Sequence, residues 1–256
     1  MNRSLWTQTL SKQSSPPWPC STCKKGTLAL VTNSLLYKET VWSKRARRDE
    51  DWSPEYITYA FTAWVKCNNP SCGDEAAVAG EGGAEPCDDG EGGTDYSLFF
   101  SPHFCTPMPD FFELPKKCPA KLALEVRAAF KLFWSDPSAA SNRVRIALEQ
   151  LMDHLEIQKR CKNKNGKFDK LSLHHRIEVF SKTEPEIGAQ LMALKLLGNT
   201  GSHDGGVIRN DVLDAFEIVE HALLELIEHR SQRLAALAQA LTEKHRPGAR
   251  KPKLPF

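Results

Sequence analysis

Eight cysteines stand at positions 20, 23, 67, 72, 87, 105, 118 and 161, and four of them form two short pairs. Cys20-Ser-Thr-Cys23 is followed by Gly26, and Cys67-Asn-Asn-Pro-Ser-Cys72 by Gly73. Each pair reads as a tight turn presenting two thiolates, and two such turns together offer tetrahedral sulfur ligation at about 2.3 Å. The expected ligands are therefore Cys20, Cys23, Cys67 and Cys72, and the expected cofactor is a structural Zn2+, because four protein ligands leave no open position for water or substrate. The competing reading is four unrelated free thiols in a small β unit. His103 and Cys105 have no matching pair nearby, and Cys87, Cys118 and Cys161 read as plain thiols.

A second group of residues able to do chemistry lies at Leu191–His203, LMALKLLGNTGSH, an apolar helix running into a glycine and asparagine cluster that ends on a histidine. An imidazole can accept or donate a proton near neutral pH. The alternative for His203 is a loop histidine that closes the end of the helix, with Gly198 and Gly201 in left-handed turn positions. Cationic residues form a third set. Lys24 and Lys25 sit in the first cysteine turn, and Lys44, Arg45, Arg47 and Arg48 lie between Trp42 and Trp52. Arg143 and Arg145 fall on a helix further on. Such residues contact phosphate, with tryptophan available for stacking on bases; the plain alternative for the 44–48 run is a solvated loop neutralised by Asp49, Glu50 and Asp51.

The formal charge of +2 conceals an asymmetry. Residues 1–48 carry nine Lys or Arg against one acid, residues 49–113 one against fourteen, and residues 114–256 twenty-four against seventeen. Local anionic contacts fit this better than a uniformly basic surface does. No apolar run approaches the ~20 residues of a membrane span, and the first residues lack the apolar core of a secretory signal, so a cytoplasmic protein without membrane contact is expected. In that compartment paired cysteines favour metal over disulfides.

The elements that must position these groups follow from periodicity. Thr27–Leu36 and Tyr56–Val65 are rich in β-branched and aromatic residues and read as strands, with Trp42–Trp52 as a loop between them. Gly80–Asp95, rich in glycine and acids, reads as a linker, followed by an extended Pro- and Phe-rich segment. From Pro119 apolar residues recur with helical period through five helices, the second N-capped by Asp136 with Pro137 behind it and the fourth ending at Gly198. The expected organisation is a zinc-ribbon-like β domain over 1–80, a linker and extended segment over 81–118, a helical bundle over 119–243 and a basic tail over 244–256. The expected fold class is mainly α.

Three ordered motifs, Phe112–Pro115, Ala140–Glu149 and Ala193–His203, resemble the bacterial domain of unknown function 4145 family, over roughly residues 95–241. That family is similar to the HEPN superfamily. The resemblance implies an antiparallel HEPN-like bundle that dimerises, and a setting in phage defence or a toxin-antitoxin-like system. HEPN ribonucleases use an arginine, a polar residue and a histidine without metal. Asn199 matches the polar position and His203 the histidine, but Gly198 stands at the arginine position. The expected function is accordingly a non-catalytic nucleic-acid-associated module. The alternatives are a metal-independent endoribonuclease using His203, Asn199 and Lys195, and a protein-binding subunit of a defence complex.

Overall fold

The computed structural model describes residues 1–88, 90, 92–162, 167–203 and 206–246, His203 through its backbone alone. A short helix α1 (Ser4–Thr7) leads to strands β1 (Leu28–Leu30) and β2 (Leu36–Glu39), helix α2 (Val41–Ala46), and strands β3 (Thr58–Cys67), β4 (Glu75–Asp88) and β5 (Thr94–Thr106). Helices α3 (Ala120–Leu132) and α4 (Pro137–His154), a hairpin of β6 (Arg160–Lys162) and β7 (Phe168–Lys170), and helices α5 (Leu173–Phe180), α6 (Pro185–His203), α7 (Arg209–Leu226) and α8 (Arg230–His245) follow.

The chain is 44% helical and 22% strand, so the expected mainly α class is corrected. In place of a small zinc ribbon, the N-terminal half is a curled antiparallel sheet, a half-barrel. β1 and β2 pair one after the other with the same edge of β3, then β4 and β5 follow. β3 shows why it is a strand: Phe61, Ala63, Val65 and Cys67 are buried, while the residues between them face outward, the period-2 pattern of a half-buried sheet. Leu10 exchanges two backbone hydrogen bonds with Phe100 at 2.8 and 2.9 Å and so covers part of the outer edge of β5.

The expected linker is instead the long β4–β5 hairpin. Composition misleads here because the glycines are packing partners. A Cβ on Gly82 would lie 2.6 Å from the Phe100 ring, and one on Gly83 2.8 Å from the Phe99 ring. β5 carries the aromatics that β4 lacks, and only glycine leaves room for them.

Two further segments depart from expectation. The Trp42–Trp52 run opens with a helix, α2, whose N-cap Thr40 accepts a hydrogen bond from the Ser43 amide. Helix α6 continues through Gly198 to His203 because Gly198 and Gly201 are pressed against α4. A Cβ at 198 would meet Arg145 Cβ at 2.5 Å and the Ser141 carbonyl oxygen at 2.9 Å, and a Cβ at 201 would collide with Ser141 Oγ. Helical propensity lost at each glycine, about 1 kcal/mol, is offset by this close contact of backbones. Asp136 caps α4 as its sequence predicts, accepting from the Ala139 amide at 2.8 Å.

One apolar core runs through both halves. Trp6 stacks on Phe111 at 3.7 Å between ring centroids, Trp18 lies 5.1 Å from Trp134, and Phe111 meets Phe130, Phe133 and Phe216. The Trp134 indole donates to the Trp6 carbonyl at 3.3 Å, and the N-terminal amine meets Glu220 at 2.7 Å. The expected basic tail lies outside the described residues from 247 onward, its first residues forming the end of α8.

Candidate metal centre

The two cysteine pairs reach one point from opposite sides of the sheet end. Cys20 and Cys23 lie on the turn before β1, while Cys67 ends β3 and Cys72 lies in the β3–β4 connection. Register brings them together: Leu28 of β1 stands opposite Cys67 of β3. The backbone closes the arrangement, with the Cys20 amide donating to the Gly26 carbonyl at 2.9 Å, Asn68 N–H to Thr27 at 2.9 Å and Cys67 N–H to Asp74 at 2.8 Å.

All four sulfurs lie within 4.8 Å of one another. Cys20 Sγ is 3.8 Å from Cys72 Sγ, and Cys23 Sγ is 3.7 Å from Cys67 Sγ. These separations far exceed a disulfide bond of about 2.05 Å. They match the edge of a sulfur tetrahedron around an ion at about 2.3 Å, roughly 3.8 Å. Cys20, Cys23, Cys67 and Cys72 could hold a metal ion, and no other group of three or more metal-ligating side chains is found among the described residues.

Sulfur protonation is tuned from the backbone. The amides of Gly26 and Lys25 bring the Cys23 thiol down to about 6, while burial pushes Cys67 up to about 12. Four thiols this close together, Cys20 and Cys67 of them buried, would resist joint ionisation, and a bound cation would remove that resistance by supplying the missing charge. Asn69 is a residue that spacing does not single out. Its side-chain amide lies 3.6 Å from Cys23 Sγ and its backbone N–H 3.5 Å from Cys67 Sγ. Asparagine within a cysteine turn is its only sequence signal.

The cationic residues are dispersed. Lys24 pairs with Asp110 at 2.7 Å, Arg143 with Glu125 at 3.2 Å and Arg145 with Glu149 at 3.1 Å. Arg47 donates to both carboxylate oxygens of Glu39 at 3.0 Å and lies over the Trp52 ring at 5.4 Å. Lys25, Lys44, Arg45 and Arg48 are exposed without an ion pair among the described residues. Lys195 and Asn199 are half-buried on α6, in the helix that carries His203. Cys105 is apart from the cluster, its thiol donating to the Pro107 carbonyl at 3.6 Å and pushed up to about 12 by burial.

Comparison with known proteins divides the chain along the same lines. Residues 127–244 match the family model described as Domain of unknown function (DUF4145). Residues 8–105 match a second, Domain of unknown function (DUF8608), whose span contains all four cysteines and the whole curled sheet except the last residue of β5. No curated protein and no solved structure matches the chain. No helix among the described residues is long and apolar enough to cross a membrane.

Proposed function

We propose that this chain is a non-catalytic nucleic-acid-binding accessory module, in which zinc holds the N-terminal turns and α2 supplies the cationic contact. The observation that carries the reading is the surface of α2. Lys44 and Arg45 on α2, with Arg48 just beyond it, stand free of ion pairs among the described residues, and Trp42 is 67% exposed beside them. Phosphates are attracted by such unpaired cations, and an exposed indole stacks on an unpaired base. Glu39 anchors the helix from below through Ser43 and Arg47, so the free cations are held on an ordered element.

Zinc is the ion assigned, because a tetrahedral set of four thiolates suits it and its closed shell fits a purely structural role. The packing of Gly198 supports the non-catalytic reading: an arginine there would collide with α4, so this position of α6 cannot carry the guanidinium that a HEPN-type nuclease has there. From the HEPN likeness we carry over a bacterial setting in phage defence or a toxin-antitoxin-like system as part of this proposal.

The test is a gel shift with single-stranded RNA and DNA over a salt series, in excess chelator and in its absence. Binding should weaken with salt, and the joint change of Lys44, Arg45 and Arg48 to alanine should flatten the slope by about 0.7 for each phosphate that is no longer neutralised. Binding that ignores both salt and the triple change overturns the reading. Cleavage that survives chelator and vanishes in His203→Ala overturns it in favour of a ribonuclease.

A further inference from the structure

A pocket of about 340 Å³ opens between Arg145 and Glu149 of α4, Lys170 at the end of β7, and Ser172 and Arg176 at the start of α5. Three cations face one acid there, a balance of two positive charges. Asp153 meets Arg176 at 2.8 Å, but it is shared with Lys159, also at 2.8 Å, which offsets its charge. Lys170 is exposed and makes no ion pair among the described residues.

Helix α5 adds its N-terminus to this set. The His175 amide donates to Ser172 Oγ at 3.3 Å and the Arg176 amide to the Ser172 carbonyl at 3.0 Å, whereas the Leu173 and His174 amides have no partner among the described residues. Free N–H groups at the positive end of a helix favour an anion. A second observation points to the same kind of ligand. Arg176 is 6% exposed, and its Nη2 donates to the Ile157 carbonyl at 2.9 Å. Its Nε is buried without a hydrogen-bond partner among the described residues. Buried charged donors are normally paired, and an oxygen of a bound anion is the acceptor that this one lacks.

We infer that this pocket binds a phosphate monoester. Charge selects the ligand: a monoester carries about 1.5–2 negative charges at neutral pH, which matches the two uncompensated positive charges of the lining, whereas each phosphate within a nucleic-acid backbone carries one. Arg145 is steadied by Glu149 at 3.1 Å and Asn142 at 3.4 Å, and Lys170 supplies a point charge on a flexible stem. Arg160, opposite Lys170 in the β6–β7 ribbon, is exposed as well and raises the positive potential beside the pocket. The site is separate from the α2 surface and does not rest on it.

Phosphorus NMR titration of the full chain with inorganic phosphate, methyl phosphate and dimethyl phosphate tests this, with circular dichroism as the control for folding. Inorganic and methyl phosphate should saturate one site, and dimethyl phosphate, a diester, should bind about tenfold more weakly. Lys170→Ala, at an exposed position, should weaken methyl phosphate about tenfold as well. Glu149→Gln, which removes the one acid among the lining residues, should tighten it about threefold. The joint change of Lys44, Arg45 and Arg48 to alanine should leave it unchanged, which separates this pocket from the α2 surface. Absence of saturable binding at millimolar concentration overturns the proposal. So does equal affinity for monoester and diester, or binding that survives Lys170→Ala or is lost with the α2 change. The source of the monoester is read from a single strand carrying a 5′-phosphate beside its 5′-hydroxyl twin. A preference for the phosphate that depends on Lys170 assigns the end of a strand; equal binding of the two, with methyl phosphate still bound, assigns a free small molecule.

Discussion

Gly26 faces Cys67 so closely that a Cβ added there would lie 2.5 Å from the Cys67 sulfur and 2.9 Å from Asn69. The two arms of the cysteine cluster can approach this closely only because that side chain is missing. Gly26→Ala removes no ligand, yet it should cost about 1–3 kcal/mol by overpacking and lower the metal content below one ion per chain. Elemental analysis of the purified variant beside a denaturant melt checks this; full metal occupancy with unchanged stability would show that the turns are slack. A similar argument applies to Gly198, whose missing side chain admits Arg145 and the Ser141 carbonyl. Gly198→Arg, which supplies the arginine that the proposed HEPN likeness would call for, should destabilise the α4–α6 contact by about 1–3 kcal/mol and confer no cleavage of RNA. Activity in a stably folded variant would contradict it. The cysteine cluster is legible in the sequence because each pair is a local turn with its own spacing. Gly198 is not, since its purpose is set by α4, more than fifty residues earlier in the chain, and from sequence it looks like a helix stop.

Among the elements, α2 depends on one buried contact from the end of β2. Ser43, fully buried, donates to Glu39 at 2.8 Å, and Arg47 grips the same carboxylate with two nitrogens. The Arg47 hydrogen bonds, followed by that of Ser43, hold the Glu39 carboxyl below its ordinary value. A depressed carboxylate contributes stability that is present above its unfolded value, about 4.3, and that disappears as pH falls through the lower folded value. Protection of the α2 amides from hydrogen exchange should therefore decline under acid conditions in the wild type. In Glu39→Gln it should already be reduced at neutral pH and vary little with acid beyond the ordinary exchange chemistry. Equal protection in the two proteins at neutral pH would remove Glu39 as the anchor. From sequence α2 looks like a loop because its charged residues hide the Thr40 cap and the inward Ser43. The β4–β5 hairpin is concealed for a comparable reason: Gly82 and Gly83 signal a linker by composition, whereas their partners Phe100 and Phe99 come from the next strand. Helices α3 to α7 are legible because the 3.6-residue period of Leu122, Val126, Phe130 or Val212, Phe216, Val219 is written within each segment.

On the scale of the whole molecule the sheet that carries the cysteine cluster and the helices share one core. The segment that carries Cys20 and Cys23 also delivers Trp6, Leu10 and Trp18 into the aromatic cluster of Phe111, Phe130, Phe133, Trp134 and Phe216. Arg209, at the start of α7, donates to the Trp134 carbonyl at 2.8 Å, and Arg3 pairs with Asp214 and Glu217 on the same helix. Loosening the cysteine turns therefore frees a strap that the helices pack against. If losing the ion weakens folding by about 3 kcal/mol, well below the worth of zinc in an isolated finger, the midpoint of thermal unfolding should fall by about 6–12 °C in a chain of this size. Far-ultraviolet ellipticity, dominated by the helices, and tryptophan fluorescence, weighted by Trp6, Trp18 and Trp134, should fall together with and without chelator. A helical signal that keeps its midpoint while fluorescence moves down would split the molecule into two independent units. Coincident shifts in both signals would instead mean that an ion bound at one end of the sheet sets the stability of helices at the far side of the core, through the tryptophans that the strap carries.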